Sequence, residues 1–285
     1  MKLKTNYHSH SKFCDGKSTM QEMIESAIER GFTHFGVSSH APFPFENDFA
    51  IQDGCFEAYK NEFFRLRDLY SKQIHLYLGL EMDYITDIIE DTDTPAKNYG
   101  LEYYIGSVHQ VKEHNDSKDM WFIDGSKVET YDNGLRNLFD MDIKRAVHCY
   151  YESQIDMIRK NNPDVLGHCD KIIMHNKNRY FTQDEQWYKD EVVALFNEVK
   201  KKDIVVEVNT RGIYRKRAED FYPSTYWLKY LVNHNVPLTI STDCHKEDET
   251  DMLYADAVNV LKQIGCKKLY YFEGVWKDAP IEDFC

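Results

Sequence analysis

No CxxC pair occurs in this sequence, and its seven cysteines (Cys14, Cys55, Cys149, Cys169, Cys244, Cys266 and Cys285) are an odd, scattered set. That is poor material for a disulfide framework and reads as free thiols in a reducing cytoplasm. No uninterrupted apolar run is long enough to span a bilayer. The opening MKLKTNYHSHSKFCDG has no apolar stretch of signal-peptide length, so neither a membrane span nor export is expected. No G-x-G-x-x-G follows the first strand-like run, which lowers the dinucleotide-binding reading. Positive charge is also short: 35 Lys and Arg against 48 Asp and Glu give a net charge of −13. The average surface therefore repels phosphate backbones, and no nucleic-acid partner is expected. What remains is a globular composition, 42% hydrophobic and 29% charged over 285 residues, enough to bury and cover one large core. A single body over residues 1–285 is the expectation.

Short β-rich runs alternate with longer amphipathic ones. Residues 3–8 read as a strand. Ser18 and Thr19 stand before Gln21 and Glu22 as overlapping capping-box candidates, for a helix whose Met20, Met23, Ile24, Ala27 and Ile28 share a face and which Gly31 ends. Strand 34–39, helix 55–71, strand 76–82 and strand 103–108 follow. A polar insert at about 112–135 reads as an excursion from the scaffold. Helix 140–160, strand 164–167, helix 183–202, strand 204–208, helix 224–233, strand 237–242, helix 251–264 and strand 268–272 complete the chain. Seven or eight β-then-α units predict an α/β fold with a closed parallel TIM-like barrel; an open doubly wound sheet is the alternative.

The metal-type residues fall in one place on that scaffold. His8 and His10 end the first strand, His40 the second, Glu81 the third, His109 the fourth and His168 the fifth, while Asp243 and His245 end the seventh run. In a parallel barrel these carboxyl ends converge on one rim. His34 and His75 open their strands and belong on the opposite rim. At a strand end, side chains at i and i+2 point the same way, so His8 with His10, and Asp243 with His245, can share a cation while Ser9 and Cys244 turn aside. One such pair is weak. Eight such residues on one rim without a cation would leave acids and imidazoles desolvated, whereas divalent cations neutralise the first and use the lone pairs of the second. Nitrogen and oxygen ligation suits zinc, manganese or iron.

The segments YHSHSKFCDGK (7–17), GVSSHAPFP (36–44), GLEMDY (79–84), IGSVHQV (105–111), VLGHCDKI (165–172) and ISTDCH (240–245) resemble the polymerase-and-histidinol-phosphatase superfamily, and within it the histidinol-phosphate phosphatases. The resemblance implies a distorted (β/α)7 barrel with three divalent cations at the C-terminal rim of its strands. Carried over by position, it implies one cation on His8, His10, Glu81 and Asp243. Glu81 would bridge to a second completed by His109 and His168, and a third would use Asp15, His40 and His245. Asp15 departs from relatives that present a histidine there, which makes the third cation the most labile.

The chemistry follows from charge. A phosphate monoester is a near-dianion that repels hydroxide, so its hydrolysis needs cations to screen phosphoryl oxygens and to supply a deprotonated water, here one bridging the first two cations. Glu81, Asp243, His245 and Arg211 are the candidate catalytic residues. Arg211 and Asn209, just after the sixth strand, and Glu46, with Asp48, in the loop after strand two are candidate substrate contacts, and Asn209 could instead orient a metal ligand. Phe43, Phe45 and Phe49 are candidate walls for an imidazole ring, whereas Phe56, Tyr59, Phe63, Leu66 and Tyr70 form a buried helix stripe. The expected partner is a small-molecule phosphate ester, and the resemblance implies that the reaction converts L-histidinol phosphate to L-histidinol and phosphate. The rivals are a phosphodiesterase or exonuclease of the same superfamily, a phosphatase of another small ester, and a non-catalytic barrel.

Overall fold

The computed structural model describes residues 2–113 and 118–285. In chain order its elements are β1 (Thr5–Asn6), α1 (Met20–Glu29), β2 (His34–Val37), α2 (Phe56–Tyr70), β3 (His75–Asp83), α3 (Asp93–Tyr99), β4 (Tyr103–Ser107), β5 (Gln110–Val111), β6 (Trp121–Phe122), α4 (Val128–Phe139) and α5 (Ile143–Lys160). Then come β7 (Val165–Leu166), α6 (Ile173–Asn176), α7 (Gln186–Lys202), β8 (Val205–Asn209), α8 (Arg211–Tyr214), α9 (Thr225–Asn233), β9 (Leu238–Ser241), α10 (Tyr254–Gln263), β10 (Lys268–Phe272) and β11 (Trp276–Pro280). Local chemistry sets several boundaries. Thr19 caps α1 and forms the box with Glu22, each accepting the other's backbone N–H. Ser18, the other candidate, donates instead to Glu247. Gly31, at φ 78°, takes the left-handed step that ends the helix.

Seven strands pair in parallel in the order β1-β2-β3-β4-β7-β8-β9. The seam between β9 and β1 is drawn together by a side chain as well as by backbone. Asn6 donates from Nδ2 to Thr242 Oγ1 at 2.8 Å and accepts from Thr242 N at 3.1 Å, and beyond it Ser9 bridges Cys244. The strand expected over 3–8 has two ladder residues, both paired with β2, and on the β9 side the Asn6 amide takes the place of backbone pairing. The result is a nearly closed, distorted (β/α)7 barrel. Its interior holds Tyr7, Tyr77, Tyr103, Ile105, Val165, Val205 and Phe272. The Tyr103 ring lies directly over Gly36 and Gly79, where a Cβ on either residue would overlap it.

One expectation needs correction. The run at 268–272 is a strand, but it adds no eighth unit: it pairs antiparallel with β11. This hairpin packs Phe272 and Trp276 against the interior tyrosines, with Phe272 N donating to Tyr7 Oη at 2.8 Å. The insert carries local structure of its own outside the seven-stranded sheet. Residues 114–117 lie outside the described residues, but β5 and β6 pair antiparallel, and α4 was not foreseen. Asp140, in a left-handed conformation, ends α4, and Asp142 caps α5 by accepting from Arg145 N at 3.1 Å. No helix among the described residues is long and apolar enough to cross a membrane.

At the rim opposite the strands' carboxyl ends, His34 stacks on His75 with centroids 4.9 Å apart, and its Nε2 has no hydrogen-bond partner among the described residues. Burial, and then the neighbouring His75, push its pKa down to about 4. The native ring is therefore neutral where the unfolded one, with a pKa near 6.5, already binds a proton. The resulting stabilisation is present above pH 6.5 and is lost as pH falls toward 4. Solvent reaching the exposed His75 face limits it to no more than about 2 kcal/mol. Urea unfolding of His34→Phe should accordingly show a shallower acid limb than wild type between pH 6.5 and 4. Parallel limbs would mean that His34 titrates normally.

Candidate metal centre

The carboxyl ends of the strands bring all nine sequence-predicted ligand residues into one buried cluster. Alternation along β3 turns Glu81 inward, fully buried, with its two oxygens facing different partners. Oε2 lies 3.2 Å from His8 Nε2, 3.4 Å from His10 Nε2 and 3.2 Å from His40 Nδ1. Oε1 lies 3.4 Å from His109 Nε2 and 3.0 Å from His168 Nε2, and accepts from Ser107 Oγ at 2.7 Å. Asp243 Oδ1 stands 3.4 Å from His10 Nε2 and 3.8 Å from His8 Nε2. Toward solvent, Asp15 is 3.2 Å from His245 Nε2, 3.7 Å from His10 Nδ1 and 4.0 Å from His40 Nε2. Cys244 Sγ points the other way, toward Asn6 Nδ2 at 3.6 Å.

Whether these donors suit metal ions can be tested on their unmet hydrogen bonds. His8 Nε2, His10 Nε2, His40 Nδ1, Asp15 Oδ1 and Asp83 Oδ2 are buried and have no hydrogen-bond partner among the described residues. Orphaned polar atoms converging in a core are expensive unless something else satisfies them. Donors sharing one cation at zinc-type bond lengths stand about 3 Å apart, which is the spacing around Glu81. Four overlapping sets have ligand atoms within 4.8 Å of one another: His10, Asp15, His40 and His245; His8, His10 and Asp243; His8, Glu81 and His168; His40, Asp83 and His109. The residues fit divalent cations.

Burial alone would raise Glu81, but the imidazoles of His8, His40 and His109 hold it well below the usual carboxylate range. Burial likewise opposes charge on His40, yet Glu81, Asp83 and Asp15 push it up to about 10. His8 is raised well above its ordinary value because Glu207, Glu81 and Asp243 outweigh its desolvation. The acids of the cluster thus make it a place that favours positive charge.

Four neighbours escaped the sequence reading. Asp83 Oδ1 accepts from His109 Nδ1 at 2.6 Å, and Glu207 Oε2 accepts from His8 Nδ1 at 2.9 Å, so each carboxylate fixes a tautomer that leaves Nε2 bare toward the centre. Asp83 sits two residues beyond Glu81 on β3, and Glu207 two before Asn209 on β8. The period-two argument that paired His8 with His10, applied to Glu81 and Asn209, would have found both. Lys171 and Asp124 form a 3.0 Å pair beside His168 and His109, and no spacing announced them. Asn209, expected to orient substrate or a ligand, is fully buried behind Asp243, where it donates from Nδ2 to Asp243 Oδ2 at 3.2 Å and to Glu207 Oε1 at 3.0 Å, and so is turned to the carboxylates. Arg211 is pinned by Asp243 O at 2.7 Å and Glu249 at 3.2 Å while one side lines the cleft.

That cleft, about 550 Å³, opens over the cluster. Phe45, Glu46, Asp48 and Phe49 form one wall, Phe43 backs the two rings at 5.2 and 5.0 Å, and Phe49 meets His40 edge-on. Phe122, Asp124, Gly125 and Ser126 of the insert contribute another. Lys171, Arg211 and Arg217 supply positive charge.

Comparison with known proteins agrees with this architecture. The chain is 27% identical over 284 residues to a "Probable histidinol-phosphatase" of Schizosaccharomyces pombe, covering 93% of this chain and 88% of that one. It is 22% identical over 272 residues to the histidinol-phosphatase of Bacillus subtilis, covering 88% and 97%. A crystal structure of the histidinol phosphate phosphatase of Lactococcus lactis, complexed with zinc, L-histidinol and phosphate, superposes with a TM-score of 0.69 at 19% identity, covering 96% of this chain and 98% of that one. The profile of the PHP domain matches residues 6–211, a segment that runs through β1 to β8 and carries every clustered donor except Asp243 and His245. The chain belongs to the PHP domain family.

Proposed function

We propose that this protein is a divalent-metal phosphomonoesterase that hydrolyses L-histidinol phosphate to L-histidinol and phosphate, with residues 1–285 acting as one barrel body. The observation that carries this reading is Glu81, whose two oxygens face separate imidazole sets at the floor of a cleft with cationic and aromatic walls. His8, His10, Glu81 and Asp243 would hold one cation, Glu81, His109 and His168 a second, and Asp15, His40 and His245 a third. Zinc is the first choice because the Lactococcus lactis protein holds it. Such ions, when bound, supply Lewis acidity that screens phosphoryl oxygens and makes water a nucleophile at neutral pH.

The chain's own groups do the rest. Asp83 and Glu207 hold the rings of His109 and His8 in register, and Arg211 buttresses Asp243 while presenting its cleft side to an anionic ester. Phe45 and Phe49 offer faces to a flat ring, and the exposed carboxylates of Glu46 and Asp48 suit its ammonium group. The net charge of −13 counts against a nuclease. The test is phosphate release by metal-reconstituted protein from histidinol phosphate, nucleoside monophosphates and a short DNA in parallel. Preference for histidinol phosphate is expected, and preference for DNA would replace this reading with the phosphodiesterase one.

A further inference from the structure

Lys171 is a charge the metal centre does not require. It lies three residues past His168 in the turn after β7, is 7% exposed and lines the cleft. Its Nζ stands 3.0 Å from Asp124 Oδ2 and 3.3 Å from His168 Nε2. Asp124 is placed from both sides: the preceding Ile123 donates its backbone N–H to His109 O at 3.1 Å, and His175 Nε2 meets the carbonyl of the following Gly125 at 2.7 Å. The insert thus delivers a carboxylate to the cleft wall, and that carboxylate fixes one ammonium.

Keeping a lysine this buried is unfavourable unless its charge is used. Its bland role is to offset the carboxylates of Asp124, Glu81 and Asp243. That role shrinks once divalent cations occupy the cluster, because they would neutralise Glu81 and Asp243 and take the His168 Nε2 lone pair. The ammonium would then keep Asp124 as its one anchor and have two N–H donors left for the cleft. Arg211 has less freedom, since its Nη1 is already committed to Asp243 O, Glu249 and Tyr214.

From this geometry we propose that Lys171, held by Asp124, is a phosphoryl-binding residue of the cleft, gripping the ester's non-bridging oxygens from the insert side. The proposal deepens the phosphatase reading and rests on it for the identity of the ester. A lysine acts here as a compact point charge, and Asp124 is a positioning residue that acts through it.

The experiment uses the full-length, zinc-loaded chain and inorganic phosphate as the probe, with affinity measured calorimetrically and zinc content by elemental analysis. Lys171→Met should weaken phosphate binding by about 10-fold or more, the scale of one charge-assisted hydrogen bond, at unchanged zinc content. KM for histidinol phosphate should rise in step. Lys171→Arg should recover part of the affinity. Asp124→Asn should weaken phosphate several-fold without losing zinc. Unchanged phosphate affinity in Lys171→Met overturns the proposal. So does loss of zinc in either Lys171→Met or Asp124→Asn, which would make the pair part of the metal scaffold. If wild type fails to hydrolyse histidinol phosphate while the graded phosphate affinities hold, the substrate assignment fails and the role of Lys171 stands.

Discussion

Glu81→Gln should lower the turnover of histidinol phosphate by about 10³-fold, the upper scale for losing one preorganised stabilising group, while leaving the barrel folded. The substitution keeps shape and volume, and the amide oxygen can still accept from Ser107 Oγ. What it removes is the negative charge between two imidazole sets and one of two oxygens able to serve as donors. The nitrogen that replaces Oε2 would face His8 Nε2 and His10 Nε2 with protons instead of a lone pair. Two cations placed side by side repel each other, and a shared carboxylate is what makes their proximity tolerable. The variant should therefore also bind fewer ions per chain by elemental analysis, with thermal unfolding of the metal-free proteins within a few degrees of wild type. Retention of a tenth of the activity at full metal content would remove Glu81 from its central role.

The parts of this site that were legible in the sequence owe it to strand geometry. His8, His10, Glu81, Asp243 and His245 could be placed because a strand end has a period of two and a parallel barrel has one functional rim. The alternation of β and α runs carried the architecture, and Gly31 and Thr19 marked the boundaries of α1 correctly. What escaped is equally physical. Residues 268–272 have the pattern of any buried strand, and only tertiary pairing with β11 makes them a hairpin at the barrel's base. Asn209 stands at a productive strand end, which suits orienting a substrate or a ligand equally, and position on a strand does not reveal that Asp243 and Glu207 take its amide. Lys171 and Asp124 are 47 residues apart and meet through the packing of the insert, so no local spacing could pair them.

The carboxylates behind the histidines allow a graded test of how the site is tuned. Glu207 holds His8 Nδ1 at 2.9 Å and also accepts from His168 N, so it orients one ring directly and another through its backbone. In Glu207→Gln the amide oxygen can still accept from Nδ1, so His8 keeps its orientation, while the negative charge that makes the ring a stronger donor is gone and the amide nitrogen faces the His168 N–H and the Asn209 amide. In Glu207→Ala both are lost, and the buried Nδ1–H is left without its partner. Metal affinity should fall by about 10-fold in the first and about 100-fold in the second, the range over which groups behind metal ligands act. Asp83→Asn should resemble the milder case through His109, held at 2.6 Å. Competition against a chelator of known affinity reads these steps without relying on turnover. Equal losses in Glu207→Gln and Glu207→Ala would mean that charge alone matters. No loss in either would mean that His8 is held by the barrel wall and Glu207 does not tune it.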